Sequence, residues 1–233
     1  MLNDKVVVIT GASRGLGKAI ARRLDQLQAK VCLVARNENE LNQVASELQR
    51  ATVYPCDITS SEATETTVNK ILAEHGHIDI LINNAGMGYY KPFLEHSSDQ
   101  HNQIIDLNFR ALVDWCYRVV PNMRERKTGH IITIGSDVGL NPIANMAVYS
   151  ATKFAARGFT LSLLREVKGD GVKVSLVNPG IIDTHFNNGE EGSKDANWSL
   201  QPSELADLIA QVLTQPGYQL VDELCVHPLD QDF

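Results

Sequence analysis

Lys5-Val6-Val7-Val8-Ile9-Thr10 runs directly into Gly11-Ala12-Ser13-Arg14-Gly15-Leu16-Gly17, and Leu16, Ile20, Leu24 and Leu27 then recur at helical spacing. The first run is continuously apolar and mostly β-branched. That suits a strand covered on both faces rather than one with a wet side. The glycines after it let the chain turn sharply. The stripe that follows is the apolar face of a helix. Strand, glycine turn and helix in immediate succession open a βαβ unit, whose strands lie parallel.

The alternation continues along the chain. Apolar runs at 31–35, 52–56, 78–82, 130–134, 172–177 and 219–226 read as further strands. Between them, Asn37 with Glu40 forms a capping box ahead of Leu41, Val44, Ala45 and Leu48. Val68, Ile71 and Leu72 mark a helix closed by Gly76. Long helices are expected over 98–124 and 149–168. Pro202 opens a last helix carrying Leu205, Leu208, Ile209, Val212 and Leu213, which Pro216-Gly217 ends. The fold class is therefore α/β: a doubly wound parallel sheet, Rossmann-like, with helices on both faces. No linker or repeat interrupts it, so residues 1–233 are read as a single domain. The one long irregular stretch, 182–201, is rich in Asn, Gly and Glu and is read as a substrate lid.

Composition narrows the function classes. Of 233 residues, 43% are hydrophobic and 21% charged, which excludes a disordered chain, a collagen and a coiled-coil rod. A net charge of −7 disfavours nucleic acid and anionic membranes as partners. No apolar run approaches the roughly 18 residues of a membrane span. The first residues lack the basic start of a secretory signal, so a cytoplasmic protein is expected. Cys32, Cys56, Cys116 and Cys225 form no CxxC pair and read as buried thiols. His75 and His77 flank a glycine at a helix end, and no metal site is expected.

The glycine turn lies where a helix N-terminus and free backbone N–H groups would hold a pyrophosphate, so phosphate binding is expected from Gly11, Ser13, Arg14, Gly15, Leu16 and Gly17. The spacing is GxxxGxG, not the common GxGxxG. An acid at the end of the second strand would bind the ribose 2′-hydroxyl of NAD. Here that strand ends Ala35-Arg36-Asn37, without a carboxylate. Arg14 and Arg36, each an ordinary surface arginine taken singly, together suit a 2′-phosphate, and the expected cofactor is NADP(H).

Tyr149 and Lys153 stand at i and i+4 on one helix face. The lysine charge and the positive helix end would both lower the phenol pKa toward the range useful for proton transfer. Ser136 ends the fifth strand, at the carboxyl edge where ligands bind in such sheets. Taken alone, each of these could be ordinary packing or turn chemistry.

TGASRGLG at 10–17, Asn83-Asn84-Ala85-Gly86, Asn108, Ser136, YSATK at 149–153 and Asn178-Pro179-Gly180 occur in one order along the chain. Together they resemble the short-chain dehydrogenase/reductase family, over 5–226. The resemblance implies that Tyr149 is the general acid, Lys153 the holder of the nicotinamide ribose and Ser136 the partner of the carbonyl oxygen. Asn108 would anchor a proton-relay water, though as a residue it equally suits a local helix distortion. The same resemblance implies cofactor contacts at Asp57, Ile58, Asn84, Ala85, Gly86, Pro179, Gly180, Ile182 and Thr184, besides Tyr149 and Lys153. It further implies a homotetramer or homodimer through the two long helices, with Leu112, Trp115, Cys116 and Val119 covered by sheet and partner alike.

Gly135 stands where many family members have a second serine. The ending VDELCVHP differs from the glycine-rich ending of many 3-oxoacyl-carrier-protein reductases. It looks more like the branch acting on hydroxy acids and small ketones. Arg124, Arg126 and Lys127 would suit an acidic carrier protein, or simply a helix C-terminus. Met146 and Phe186 suggest an apolar wall to the pocket, and His185 is a candidate for a substrate carboxylate. The expected function is NADPH-dependent hydride transfer to a small or medium carbonyl compound, reversible toward the hydroxy substrate. The alternatives are a 3-oxoacyl-carrier-protein reductase, an NAD-dependent alcohol dehydrogenase and a non-catalytic cofactor-binding regulator.

Overall fold

A computed structural model describes residues 2–184, 186, 189, 192–195 and 197–231. Its strands are β1 (Val6–Thr10), β2 (Lys30–Ala35), β3 (Ala51–Pro55), β4 (Ile80–Asn83), β5 (Gly129–Ile134), β6 (Val172–Pro179) and β7 (Glu223–Val226). They form one parallel sheet in the order β3-β2-β1-β4-β5-β6-β7. β1 is buried along its whole length, as its unbroken apolar run predicts. The last strand is shorter than the expected 219–226. Gln219 closes a turn onto Pro216 instead, and only Glu223–Val226 pairs with β6.

The helices are α1 (Gly15–Gln26), α2 (Glu38–Ser46), α3 (Ser61–His75), α4 (Ser98–Ile105), α5 (Ala111–Glu125), α6 (Ala147–Val167) and α7 (Pro202–Leu213). α7 stops before Pro216-Gly217, because Thr214 caps it through a 2.8 Å bond to the Ala210 carbonyl. At the start of α2, Asn37 accepts from the Glu40 amide, but the return bond joins the two side chains, so only half of the capping box forms. The long helix expected over 98–124 is α4 and α5 joined by one π turn, Asp106–Arg110.

Alternate strand residues feed two cores. Val7 and Ile9 face the layer containing α1, α2 and α7, while Val6 and Val8 face the layer of α3, α5 and α6. Leu112, Trp115, Cys116 and Val119 all lie in the second core, packed within the one chain. They are therefore not available to a partner. The apolar side chains that these long helices leave open are others, Tyr117 and Phe154. Strand order reverses between β1 and β4, and that reversal opens a crevice at their carboxyl ends.

Several side chains singled out above have structural duties. Arg124 pairs with Asp170 at 2.6 Å, and Arg126 with Asp79 at 2.9 Å. His75 and His77 bond Tyr54 and Asp79. Cys32, Cys56 and Cys116 are buried, but Cys225 is exposed, because it lies on the edge strand. Among the described residues no helix is long and apolar enough to cross a membrane.

Candidate active site

The glycine turn is built by backbone geometry. Gly11 and Gly15 have φ of 67° and 52°, a region that side chains disfavour. A Cβ at Gly17 would fall 2.2 Å from the Gly11 carbonyl oxygen, so α1 packs against the turn only without one. The Asn84 side-chain amide donates to the Thr10 and Gly11 carbonyls, at 2.9 and 3.2 Å. The Thr10 hydroxyl accepts from the amides of Asn84 and Ala85. The two turns at the strand-order reversal are thus one hydrogen-bonded unit.

That unit suits an anion. No side chain caps α1 and no acid lies in its first turn. Arg14 and Arg36 are exposed at the same edge, without a side-chain hydrogen bond or ion pair among the described residues. Burial pushes the Asp57 carboxyl up, but bonds from Thr59 and the nearby Arg36 charge outweigh it and hold it below the usual range. Thr184 packs against Gly15, with its side chain 3.4 Å from where a Cβ would stand. Leu16 and Ile58 turn their side chains into the two cores, which leaves their backbones for a ligand. These residues fit a dinucleotide: the turn would take its phosphates, and Arg36 and Asp57 its adenosine end.

On the other side of the crevice α6 brings up Tyr149 and Lys153, both buried. The ammonium donates to the Ile134 carbonyl at 2.9 Å and stands 5.6 Å over the Tyr149 ring. Burial pushes the lysine down to about 8. It also pushes the phenol above its ordinary value; the Ser136 hydroxyl pulls it back and the Asp137 charge adds to the rise. The lowered phenol pKa expected from lysine and helix end is not found. The lysine lies over the ring face, and desolvation is the larger effect.

Asn108 sits in the π turn and exchanges two 2.8 Å bonds with the Met87 backbone. Its amide also donates to the Thr152 hydroxyl. Its Oδ1 accepts one of these bonds and has a second lone pair, and a Cβ at Gly86 would stand 3.4 Å from that oxygen and 3.8 Å from Lys153 Nζ. A Cβ at Gly135 would lie 2.1 Å from Asn178 Oδ1, which explains why no serine precedes Ser136.

The sequence matches the short chain dehydrogenase family over residues 5–195. An uncharacterised oxidoreductase of Staphylococcus epidermidis is 34% identical over 229 residues, covering 98% of this chain and 99% of that one. The chain belongs to the short-chain dehydrogenase family. An alcohol dehydrogenase from the archaeon Thermococcus sibiricus, complexed with 5-hydroxy-NADP, superposes with a TM-score of 0.93 at 30% identity, over 99% of both chains. The closed form of a serine dehydrogenase complexed with NADP+ gives 0.91 at 33% identity, covering 98% of this chain and 96% of that one.

Short-chain dehydrogenases share this scaffold, so the walls around Tyr149 carry what is particular to this chain. The Phe186 ring lies 5.5 Å from that of Tyr149. Gly88 has no room for a Cβ between the two. Met146, Tyr89, His96 and His101 line a cleft that reaches Tyr149. The irregular stretch is tied at its feet: Ile182 bridges Leu200, and buried Asp183 accepts from the Gly192 amide. His185 lies outside the described residues.

Four residues have roles that the sequence reading did not assign. Thr10 opens the TGASRGLG motif and Asp137 opens the stretch to Met146 read as bearing on substrate identity, and a hydroxyl or carboxylate in that place was the available signal. Asp183 and Gln231 act through bonds to distant chain, for which a single sequence holds no signal.

Proposed function

We propose that this short-chain dehydrogenase is an NADPH-dependent reductase of small or medium carbonyl compounds, reversible toward the corresponding alcohols or hydroxy acids. The observation that carries the reading is the buried group Ser136, Tyr149 and Lys153 facing the uncapped, arginine-flanked glycine turn across one crevice. NADPH, when bound, supplies the hydride. Tyr149 donates its proton to the carbonyl oxygen. Burial holds the phenol above its ordinary pKa, which keeps it protonated at neutral pH and makes it a weaker acid; it can still give its proton to the developing alkoxide, which is the stronger base. Ser136 gives that oxygen a hydrogen bond and stabilises the developing alkoxide. Lys153 orients the nicotinamide ribose, and the free lone pair of Asn108 holds a relay water. Gly11, Ser13, Gly15 and Gly17 hold the pyrophosphate, and Arg14 and Arg36 hold the 2′-phosphate. Asn84 keeps the turn in shape, while Ala85, Gly86, Pro179, Gly180, Ile182 and Thr184 border the nicotinamide half.

The NADP-type ligands of the archaeal alcohol dehydrogenase and the serine dehydrogenase support the cofactor choice. Docking of an acidic carrier protein is disfavoured, since Arg124 and Arg126 already pair within the chain. A cytosolic location and a dimer or tetramer belong to the same proposal, the latter through exposed Tyr117 and Phe154.

The test is a steady-state assay over ketones and 3-oxo esters with both cofactors, on wild type and Tyr149→Phe. The variant should lose kcat by about 10²–10⁴-fold, the usual share of a general acid, with NADPH affinity within about twofold. Retention of most of kcat would remove Tyr149 from its role.

A further inference from the structure

Gln231 reaches the active site from the far end of the chain. Its side-chain amide donates to Asp137 Oδ2, and its Oε1 accepts from the Ile181 amide at 2.8 Å. The two ends cannot be exchanged, because a carboxylate needs the donor and a backbone N–H needs the acceptor. Asp137 in turn accepts from the Ser136 hydroxyl at 2.8 Å and from the Val138 amide at 2.7 Å, both on Oδ1. Ser136 and Asp137 are both buried. Space is reserved for the contact: a Cβ at Gly180 would stand 2.2 Å from Gln231 Oε1. The neighbouring Asp230 amide also donates to the Asn197 carbonyl, in the irregular stretch. One short C-terminal segment therefore ties the turn after β5, the turn after β6 and the stretch beyond it.

We propose that Gln231 and Asp137 are positioning residues for the reduction: together they hold Ser136 Oγ in its place and the two walls of the crevice in register, and the hydroxyl hydrogen, which rests on Asp137, turns to the carbonyl oxygen when a substrate binds. This rests on the reading of Ser136 as the partner of the carbonyl oxygen. Each Asp137 oxygen has its own donors, so the carboxylate cannot rotate without breaking a bond. Without Gln231, Oδ2 is left buried and unpaired, a costly state that is relieved by rotation. The Ser136 oxygen that rests against Oδ1 then shifts with it.

The test uses Gln231→Ala, Gln231→Glu and the double variant Asp137→Asn with Gln231→Glu, in the full chain. Gln231→Ala should lower kcat by about tenfold, while the NADPH dissociation constant stays within about twofold. Gln231→Glu sets two carboxylates face to face and should lose more. The double variant exchanges amide and carboxylate between the two positions and keeps every bond. The introduced asparagine amide donates to the introduced glutamate, which still accepts from the Ile181 amide. This variant should recover at least about tenfold of the kcat lost in Gln231→Glu. A second readout needs no turnover: exchange of the Ile181 amide with solvent should speed up by about tenfold in Gln231→Ala. A wild type inactive on every carbonyl tested would sink the reductase reading, and the clamp would then be judged on amide exchange alone. Unchanged kcat in Gln231→Ala, a double variant no better than Gln231→Glu, or unchanged Ile181 exchange would each overturn the clamp.

Discussion

At the amino edge of the sheet, buried Asp79 is surrounded by Lys5, His77 and Arg126, at 3.2, 3.1 and 2.9 Å, and accepts from the Val6 amide. At the carboxyl edge, buried Lys153 donates only to the Ile134 carbonyl and has no anion within ion-pair distance among the described residues. Burial acts against the charge in both. At Asp79 the bonds from Arg126, Val6 and Lys5 outweigh it and hold the carboxyl below the usual range. At Lys153 nothing does, and the ammonium falls to about 8. The amino edge is complete in itself. The carboxyl edge keeps charge and donors unmatched, which is costly to the fold and useful to a ligand.

The largest test of this contrast is Lys153→Met. A lysine moved from 10.5 to about 8 costs about 3 kcal/mol while it is charged in the folded state. That cost is present below pH 8 and is relieved as pH rises toward 10.5, where the unfolded chain still binds the proton. The variant should thus be more stable than wild type at pH 7, by up to about 3 kcal/mol, and lose most of that advantage by pH 10. Urea unfolding at both pH values measures it; an equal difference at the two would contradict the argument. Next is Asp79→Asn, expected to cost about 2 kcal/mol, since Lys5 and Arg126 are partly exposed and can turn to water. Because the Asp79 pKa is lowered by folding, its contribution is present above the ordinary carboxylate range and is lost on acidification. The gap between wild type and variant should therefore close at low pH, and turnover at moderate temperature should not change. The smallest effect is at Arg36. Arg36→Ala should weaken NADPH by about tenfold, roughly 1.4 kcal/mol, and leave NADH nearly as it was. A ratio of kcat/KM for the two cofactors that ignores the substitution would return Arg36 to the solvent.

The fold was legible because each βαβ unit is written locally. Unbroken apolar runs, period-3.6 patterns, the Gly76 stop and Pro202 start all act within a few residues. Where a boundary depended on distant pairing, as at β7, local pattern overran it. The motif-bearing side chains could be named for the same local reason, and the structure gathers Ser136, Tyr149, Lys153 and Asn108 at one edge. What was hidden is the matching between distant segments. Burial of Trp115 by its own sheet, rather than by a partner, is not written in the helix that carries it. Nor does YSATK disclose that its lysine settles on the Ile134 carbonyl instead of beside the phenol oxygen.

The bridge between Ile182 and Leu200, reinforced by the Asp183 amide on the Leu200 carbonyl, fastens both feet of the irregular stretch to each other. A segment mounted on such a clasp is mechanically a cassette. Closing it costs chain entropy only once, and that cost grows slowly with length. Insertions, deletions or exchange beyond Thr184, which itself packs against Gly15, therefore leave the seven strands and the glycine turn nearly undisturbed. Natural drift or a protein engineer can retailor the wall beside Tyr149 while the chemistry beneath it stays as it is.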